Sequence, residues 1–149
     1  MIKEITGLHH ITSMASNADA NNVFFTKPLG LRRVKKTVNF DAPEVYHLYY
    51  GDEIGTPGSV MTYFPFARMS PGQRGAGEVS ITEFAVPKDA LGFWKERLST
   101  LGVSSLIESS FLGEKRLSFD GPDGDGFALV ESDVRDRTPW TEADVPEDA

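Results

Sequence analysis

Two stretches of the chain run through the same order of features, and this internal repeat limits the possible folds more than any other property of the sequence. Residues 10–37 (HITSMASNADANNVFFTKPLGLRRVKKT) align with residues 80–109 (SITEFAVPKDALGFWKERLSTLGVSSLIES) when small gaps are allowed. Each copy opens with a β-like stretch, passes a polar break and a helical segment with an aromatic pair, and reaches Leu-Gly before further strands. Such a repeat predicts two copies of one supersecondary unit.

The helical segments of the two copies differ in the positions of their Gly and Pro residues. In the second copy Pro87 suits a first helical turn and Gly102 suits a helix end. Between them lies an apolar stripe at helical spacing, which predicts a core-facing helix: Leu91, Trp94, Leu98 and Leu101. In the first copy the helix predicted from Ala18 to Leu29 contains Pro28, which removes a backbone donor and disfavours helical geometry before it. We therefore expect the first helix to be short or kinked.

Three β-rich runs follow each helix, so each copy is expected to be a βαβββ module and the fold class α+β. The Gly- and Pro-rich stretches DEIGTPG and DGPDGDG are typical of turns between strands. We predict one domain over residues 5–132, with a module at 5–66, a linker at 67–77 and a module at 78–132. Residues 133–149 are acidic and are predicted to be a tail or an interdomain linker.

Composition excludes several classes of protein. The 149 residues suit one domain, and the absence of cysteine excludes disulfides, thiolate metal sites and cysteine nucleophiles. A net charge of -7 disfavours nucleic acid as a partner. The sequence contains neither a basic, apolar signal segment at its start nor an apolar run of about 20 residues, so we expect a cytoplasmic protein without membrane contact.

Two adjacent histidines, His9 and His10, open the first predicted strand in a chain that has only three. Neighbouring strand residues point to opposite faces, so at most one of the two ligates a given metal ion. Thr12 shares the face of His10. The alternative is that both imidazoles are strand side chains satisfied by hydrogen bonds. The third, His47, lies in VYHLYY, where a packing role between strands is favoured.

A catalytic metal site usually needs three protein ligands from histidine and carboxylate, and the sequence supplies them poorly. In the second copy Ser80 is expected to match His10, and Ala128 lies where a carboxylate could have faced the same cavity. Glu131, three residues further on, is expected to point to the opposite face. The residues alone therefore indicate one candidate ligand and two missing ones.

The paired βαβββ modules with HHIT in the first strand resemble the vicinal oxygen chelate superfamily, which includes glyoxalase I, bleomycin- and fosfomycin-resistance proteins and extradiol dioxygenases. Four stretches resemble more closely the N-terminal half of ring-cleaving dioxygenases that act on hydroquinones. They are GLHHIT, PLGLRRVKKTVNFDAPEVYHLYYGDEIGTPGSVMTYFPF, GQRGAGEV and FAVP followed by FWKERL. The resemblance implies a glyoxalase-like open barrel and a small aromatic substrate.

The same resemblance implies roles for individual residues. His10 matches the metal ligand of the first strand, and His9 and Thr12 match positions near the metal, which gives them candidate catalytic roles. In this family the metal is Fe(II), in preference to Mn(II), Zn(II) or Ni(II). The remaining His and Glu ligands come from a C-terminal half that has no counterpart in these 149 residues.

Two alternatives remain open at this point. One is a homodimeric lyase resembling lactoylglutathione lyase (glyoxalase I), whose modules pair between chains. The other is a metal-free binding module of the bleomycin-resistance type, with Tyr46, Tyr63 and Phe64 as substrate-binding residues on a concave sheet. Open sheets also expose apolar surface, so we expect a homodimer or pairing with the missing C-terminal half.

Overall fold

The computed structural model describes residues 4–5, 7–133, 140, 144–146 and 148–149. The elements of the first module are β1 (His10–Ala15), α1 (Ala18–Thr26), β2 (Arg32–Val38), β3 (Tyr46–Gly51) and β4 (Val60–Pro65). Those of the second module are β5 (Ile81–Val86), α2 (Leu91–Thr100), β6 (Ile107–Phe111), β7 (Glu114–Asp120) and β8 (Gly126–Glu131). The predicted acidic tail falls partly on residues 134–139, 141–143 and 147, which lie outside the described residues.

The strands form two four-stranded sheets of the same topology, with orders β1-β4-β3-β2 and β5-β8-β7-β6. In each sheet the first strand pairs in parallel with the last, and the other pairs are antiparallel. The predicted α+β fold of two βαβββ modules is confirmed, and the sheets remain open at their edges.

Helix α1 is short, as its proline predicts. The side chain of Asn17 caps its start by accepting hydrogen bonds from the backbone N–H groups of Asp19 and Ala20, each at 2.9 Å. The helix ends at Thr26, two residues before Pro28. Gly30 then turns the chain towards β2 with a φ of +63°, a conformation that favours glycine.

Helix α2 begins at Leu91, four residues later than Pro87. Between them Asp89 has a φ of +65°, which is incompatible with a helical turn at that point. The helix ends as predicted: Gly102 has a φ of +81°, and the N–H of Val103 donates to the carbonyl of Leu98 at 2.9 Å. Leu101, expected in the core stripe, lies in this cap and is 46% exposed.

The aromatic pair of α1 joins the two modules in one core. The ring of Phe25 stacks on Tyr50 of β3 at 4.8 Å between centroids and contacts Tyr63 of β4 at 5.1 Å. The ring of Phe24 lies 5.7 Å from that of Phe127 in β8. The face of each sheet that packs on its helix therefore belongs to a shared interior, and the opposite face of each sheet is the outer one.

The turn between β7 and β8 is fastened to the first module. The backbone N–H of Ser16 donates to the carboxylate of Asp123 at 3.2 Å, and the guanidinium of Arg74 donates to the carbonyl of Gly124 at 2.6 Å. These bonds fix the relative position of the sheets.

The described part of the C-terminal segment returns to the body of the protein. The guanidinium of Arg97 donates to the carbonyl of Asp144 at 2.6 Å, and Val145 packs against the core. The guanidinium of Arg32 lies 5.0 Å from the ring centroid of Trp140. Among the described residues, neither helix has the length and apolar character needed to cross a membrane.

Candidate functional site

The outer face of the first sheet carries most of the polar and aromatic side chains of interest. In β1 the exposed residues alternate with Ile11, Ser13 and Ala15, which turn inwards. The cross-strand pairs Thr12–Thr62, Met14–Phe64, Tyr49–Thr62 and Lys35–Tyr49 carry this face across the sheet. We define it as the His10 face: His10, Thr12, Met14, Lys35, His47, Tyr49, Thr62 and Phe64.

The two adjacent histidines contact each other at one edge of the His10 face. The Nδ1 atoms of His9 and His10 lie 3.0 Å apart, a hydrogen bond in which one of them carries the proton. His9 precedes the first residue of β1, so strand alternation does not direct its ring. Nε2 of His10 has no hydrogen-bond partner among the described residues, and the side chain is exposed. If the Nδ1 of His10 is the donor, Nε2 has a free lone pair, as a metal ligand needs.

A chain of hydrogen bonds crosses three strands of the same face. The hydroxyl of Tyr49 lies 2.8 Å from Nδ1 of His47, and Nε2 of His47 lies 3.1 Å from Oγ1 of Thr62. The hydroxyl of Thr62 donates to Oγ1 of Thr12 at 2.8 Å. Thr62 is completely buried, whereas Thr12 is exposed. The chain thus leads from inside the sheet to its surface, two residues from His10.

Packing and charge keep His47 neutral near physiological pH. Its ring lies 4.1 Å from the ring of Tyr49 and 4.0 Å from that of Phe64, measured between centroids. Burial lowers the pKa of His47, and the nearby positive charges of His10 and Lys35 lower it further. Because both ring nitrogens are already bonded, His47 offers no free donor to a metal.

The second sheet has an ion pair where the first has this neutral chain. By position in the ladders, Glu83 corresponds to Thr12 and Arg116 to His47. The guanidinium of Arg116 donates to Glu83 at 2.7 Å and lies 5.1 Å from the ring of Phe111. At these two matched positions the side chains of the second sheet therefore pair with each other.

The described residues do not form a complete metal site. Among them there is no group of three or more His, Cys, Asp or Glu side chains placed to hold an ion. His10 contributes a single imidazole, and a catalytic first-row metal usually takes three protein ligands. On the described residues alone, the donor set does not fit Fe(II).

Several known proteins are similar to the whole chain over part of their own length. MhqE of Bacillus subtilis (strain 168), provisionally named a ring-cleaving dioxygenase, is 45% identical over 135 residues, which cover 91% of this chain and 44% of MhqE. The chlorohydroquinone/hydroquinone 1,2-dioxygenase of Sphingobium indicum is 39% identical over 150 residues, covering 98% of this chain and 47% of the relative. The chain thus spans about half the length of these relatives. No family model matches the chain.

Solved structures share the architecture. The crystal structure of a provisionally assigned dioxygenase from Bacillus subtilis superposes with a TM-score of 0.92 at 40% identity, over 99% of this chain and 47% of that one. A glyoxalase family protein from Enterococcus faecalis superposes with a TM-score of 0.66 at 22% identity, over 85% and 98% of the chains, and shows the fold alone. These similarities confirm the expected resemblance to the vicinal oxygen chelate superfamily.

The structure brings together only some of the site residues expected from the vicinal oxygen chelate resemblance. His9, His10, Thr12 and Phe64 lie at or on the His10 face. Tyr46 does not lie on this face, because it shares the opposite face of β3 with Leu48 and Tyr50. There Nζ of Lys36 lies 3.7 Å from the centroid of the Tyr46 ring. Tyr63 is also on the inner face: it is 1% exposed and its hydroxyl bonds to Asp125. Neither tyrosine can line a ligand on the His10 face.

Sequence reasoning did not predict that His47 and Tyr49 lie on the His10 face. Strand alternation could have predicted their face. They are the third and fifth residues of VYHLYY and therefore lie on the opposite face from the buried Leu48 and Tyr50. Sequence reasoning also misplaced the residue of the second module that corresponds to His10. His10 and Ile81 are the first residues of the β1–β4 and β5–β8 ladders, so the counterpart of His10 is Ile81 and not Ser80. Ala128 does face outwards, opposite Glu83, but has no side-chain donor.

Proposed function

We propose that this chain is part of a ring-cleaving extradiol dioxygenase of the hydroquinone type and corresponds to its N-terminal half. In this proposal His10 supplies one ligand to an Fe(II) site whose remaining donors lie outside these residues. The observation that carries it is the exposed Nε2 of His10 on the outer face of β1, beside its hydrogen-bonded neighbour His9. A lone, oriented imidazole on an open sheet suits a site shared with another module.

The named relatives support the reaction class. Proteins 39–45% identical to the chain are named ring-cleaving or hydroquinone dioxygenases, and the chain spans 44–47% of their length. A small aromatic substrate follows from those names. In the proposal the missing donors come from a second copy of the chain or from a segment outside these 149 residues.

Roles for the neighbouring side chains follow from their positions. His9 orients the ring of His10 through the 3.0 Å bond between their Nδ1 atoms. Thr12 faces the substrate, and the ring of Phe64 forms an apolar wall. The same proposal includes three further points. They are a division of the domain at 5–66, 67–77 and 78–132, a preference for Fe(II) over Mn(II), Zn(II) or Ni(II), and a cytoplasmic location.

The test uses the protein as its reading frame encodes it, purified without a His tag and under anaerobic conditions. We expect stoichiometric iron by mass spectrometry, and uptake of O2 in step with the loss of hydroquinone. The variant His10→Ala should lose both the iron and the reaction. If His10→Ala keeps both its iron and its activity, the proposal is overturned.

His47→Gln is the matched control for this experiment. It removes another histidine from the same face, but one whose two ring nitrogens are engaged by Tyr49 and Thr62. We expect this variant to retain its iron. Loss of iron from both variants to the same degree would show that the fold, and not ligation, had been damaged.

One alternative function has an observation in its favour. The described residues contain no group of three potential ligands, which suits a metal-free binding module of the bleomycin-resistance type. The same absence counts against a lactoylglutathione lyase that assembles its site from these residues. A protein that purifies without metal and still binds hydroquinone by calorimetry would favour the binding module.

A further inference from the structure

The hydrogen-bond chain on the His10 face has one buried member and one exposed end. Thr62 is 0% exposed and lies between the imidazole of His47 and the hydroxyl of Thr12. A buried hydroxyl needs its partners, because leaving it unbonded costs stability. Thr12, by contrast, is exposed on β1. Its hydroxyl is the exposed end of the chain of hydrogen bonds.

The bonds of the chain have one consistent direction. With Thr62 as the donor to Thr12, its single hydroxyl hydrogen is used in that bond, and its oxygen then accepts from His47. The imidazole therefore carries its proton on Nε2, and its Nδ1 accepts from the hydroxyl of Tyr49. In this arrangement the hydrogen of Thr12 is not used within the chain.

The surroundings support a neutral His47 in this tautomer. The ring is enclosed by those of Tyr49 and Phe64, at 4.1 and 4.0 Å between centroids. Burial lowers the pKa of His47 and the positive charge of Lys35 lowers it further, and Lys35 Nζ lies 5.4 Å from the centroid of the Tyr49 ring. A protonated imidazole would donate from both nitrogens, and the chain would lose its single direction.

The charge of the His10 face indicates what Thr12 would bind. None of the residues that define the face is Asp or Glu, although the whole chain has a net charge of -7. The face carries the cation Lys35 instead. A surface of this kind favours an anionic oxygen, and a hydroxyl donor binds such an oxygen more strongly than a neutral one.

We propose that Tyr49, His47 and Thr62 are positioning residues that hold Thr12 as a hydrogen-bond donor to the ionised hydroxyl oxygen of an aromatic substrate. The inference rests on the proposed function, since it deepens the same site. Thr12 and His10 are two residues apart on one strand face, about 7 Å along the strand. A ring with a substituent oxygen spans this separation.

The first test follows the tautomer of His47 by nitrogen-15 NMR in the 149-residue chain, without metal or substrate. We expect the proton on Nε2 and an acceptor-type resonance for Nδ1. The variant Tyr49→Phe should shift the Nδ1 resonance, and Thr62→Val should mix the tautomers. Thr37→Val is the matched control, because Thr37 lies opposite His47 in the β2–β3 ladder but outside the chain of bonds. A proton on Nδ1 in the unsubstituted chain would overturn the inference.

The second test measures ring cleavage of hydroquinone by the protein as encoded. Thr12→Val should lower kcat/KM by about 10- to 100-fold, the effect of losing one hydrogen bond to a charged oxygen. Tyr49→Phe should lower it by roughly 3- to 10-fold, because it weakens only the orientation of Thr12. Thr12→Ser, which retains the hydroxyl, should restore most of the activity. Thr37→Val should behave as the unsubstituted protein.

The outcomes separate this inference from the proposed function. Activity that is unchanged in both Thr12→Val and Tyr49→Phe overturns the inference and leaves the proposed function standing. Absence of ring cleavage in the unsubstituted protein overturns the proposed function, and the substrate role of Thr12 falls with it. Equal loss in Thr37→Val would reduce the chain to a structural feature of the sheet, which also overturns the inference.

Discussion

The hydroxyl of Tyr63 donates a hydrogen bond to the carboxylate of Asp125 across 3.0 Å and joins β4 of the first sheet to the turn before β8 of the second. Tyr63 is 1% exposed, so the bond lies in the interior between the modules. Burial raises the pKa of Asp125, and the bond from Tyr63 opposes that rise. The two residues therefore couple the stability of one module to that of the other.

Removal of this hydroxyl should destabilise the whole chain. We expect Tyr63→Phe to lower the free energy of unfolding by about 1–3 kcal/mol, since a partly buried carboxylate loses its donor. Urea denaturation followed by circular dichroism measures the change. Tyr46→Phe, at a tyrosine that is 45% exposed, is the control and should change stability by less than about 0.5 kcal/mol. Equal effects in the two variants would contradict this prediction.

A backbone contact makes glycine necessary at the start of β8. A Cβ at Gly126 would lie 2.5 Å from the carbonyl oxygen of Ser80, next to its ladder partner Ile81. We expect Gly126→Ala to destabilise the chain by about 1–3 kcal/mol, because the parallel β5–β8 pair must open to admit the methyl group.

Gly92 provides a control for which the expected change in stability has the opposite sign. A Cβ there meets nothing within 4 Å, and the residue lies in helix α2. Gly92→Ala should stabilise the chain by up to about 1 kcal/mol, since alanine loses less conformational entropy in a helix. Thermal and urea denaturation of both variants check the pair. Destabilisation by both would place the cause outside the contact with Ser80.

The lowered pKa of His47 should make part of the stability depend on pH. Burial is the main cause, and the charges of His10 and Lys35 add to it. An unfolded His47 binds its proton below about pH 6.5, whereas the folded one binds it only at lower pH. Below about 6.5 the unfolded state thus holds more protons, and the stability contributed by His47 is lost as the pH falls through the folded pKa.

The measurement compares urea midpoints of the chain and of His47→Gln between pH 8 and pH 5. The unsubstituted chain should be the more stable at pH 8, and the difference should narrow towards pH 5. A difference that stays constant over this range would show that His47 does not titrate differently in the folded and unfolded states.

The exposed methionine of the His10 face should take part in association. Met14 is 53% exposed among polar and aromatic side chains, and apolar surface on an open sheet tends to be covered by a partner. We expect a dimer by sedimentation equilibrium at tens of micromolar. Met14→Ser should weaken it by about 10- to 100-fold, the effect of losing one buried methionine. Met69→Ser is the control, since Met69 is 47% exposed but lies outside both sheets. A monomeric unsubstituted chain would contradict the prediction.

The repeat and the positions of its Gly and Pro residues were enough to predict the architecture. These positions and strand alternation determine local structure, which the sequence shows directly. The face on which His10 and Thr12 lie also followed from alternation within β1. The faces of Tyr46 and Tyr63 did not, because tyrosine suits both the interior and the outer face of a sheet. The ladder between β3 and β4 sets Tyr63 opposite the buried Leu48, and alternation within β3 puts Tyr46 on the same face as Leu48.

Other differences arose where local rules stop applying. His9 approaches His10 because it precedes the strand, where alternation no longer directs its side chain. The later start of α2 depends on Asp89, whose positive φ a residue-type pattern does not predict. The bond between Tyr63 and Asp125 spans 62 positions, so sequence spacing carried no sign of it.

The ion pair of Glu83 and Arg116 occupies the ladder positions that Thr12 and His47 hold in the first sheet. Duplication has preserved the scaffold while letting the chemistry of its two copies diverge. In the second module the matched side chains bind each other, whereas in the first they form a neutral chain that ends at the exposed hydroxyl of Thr12. Two sheets of one topology thus use the same pair of positions differently: one keeps its polar groups paired with each other, and the other leaves one of them at the surface.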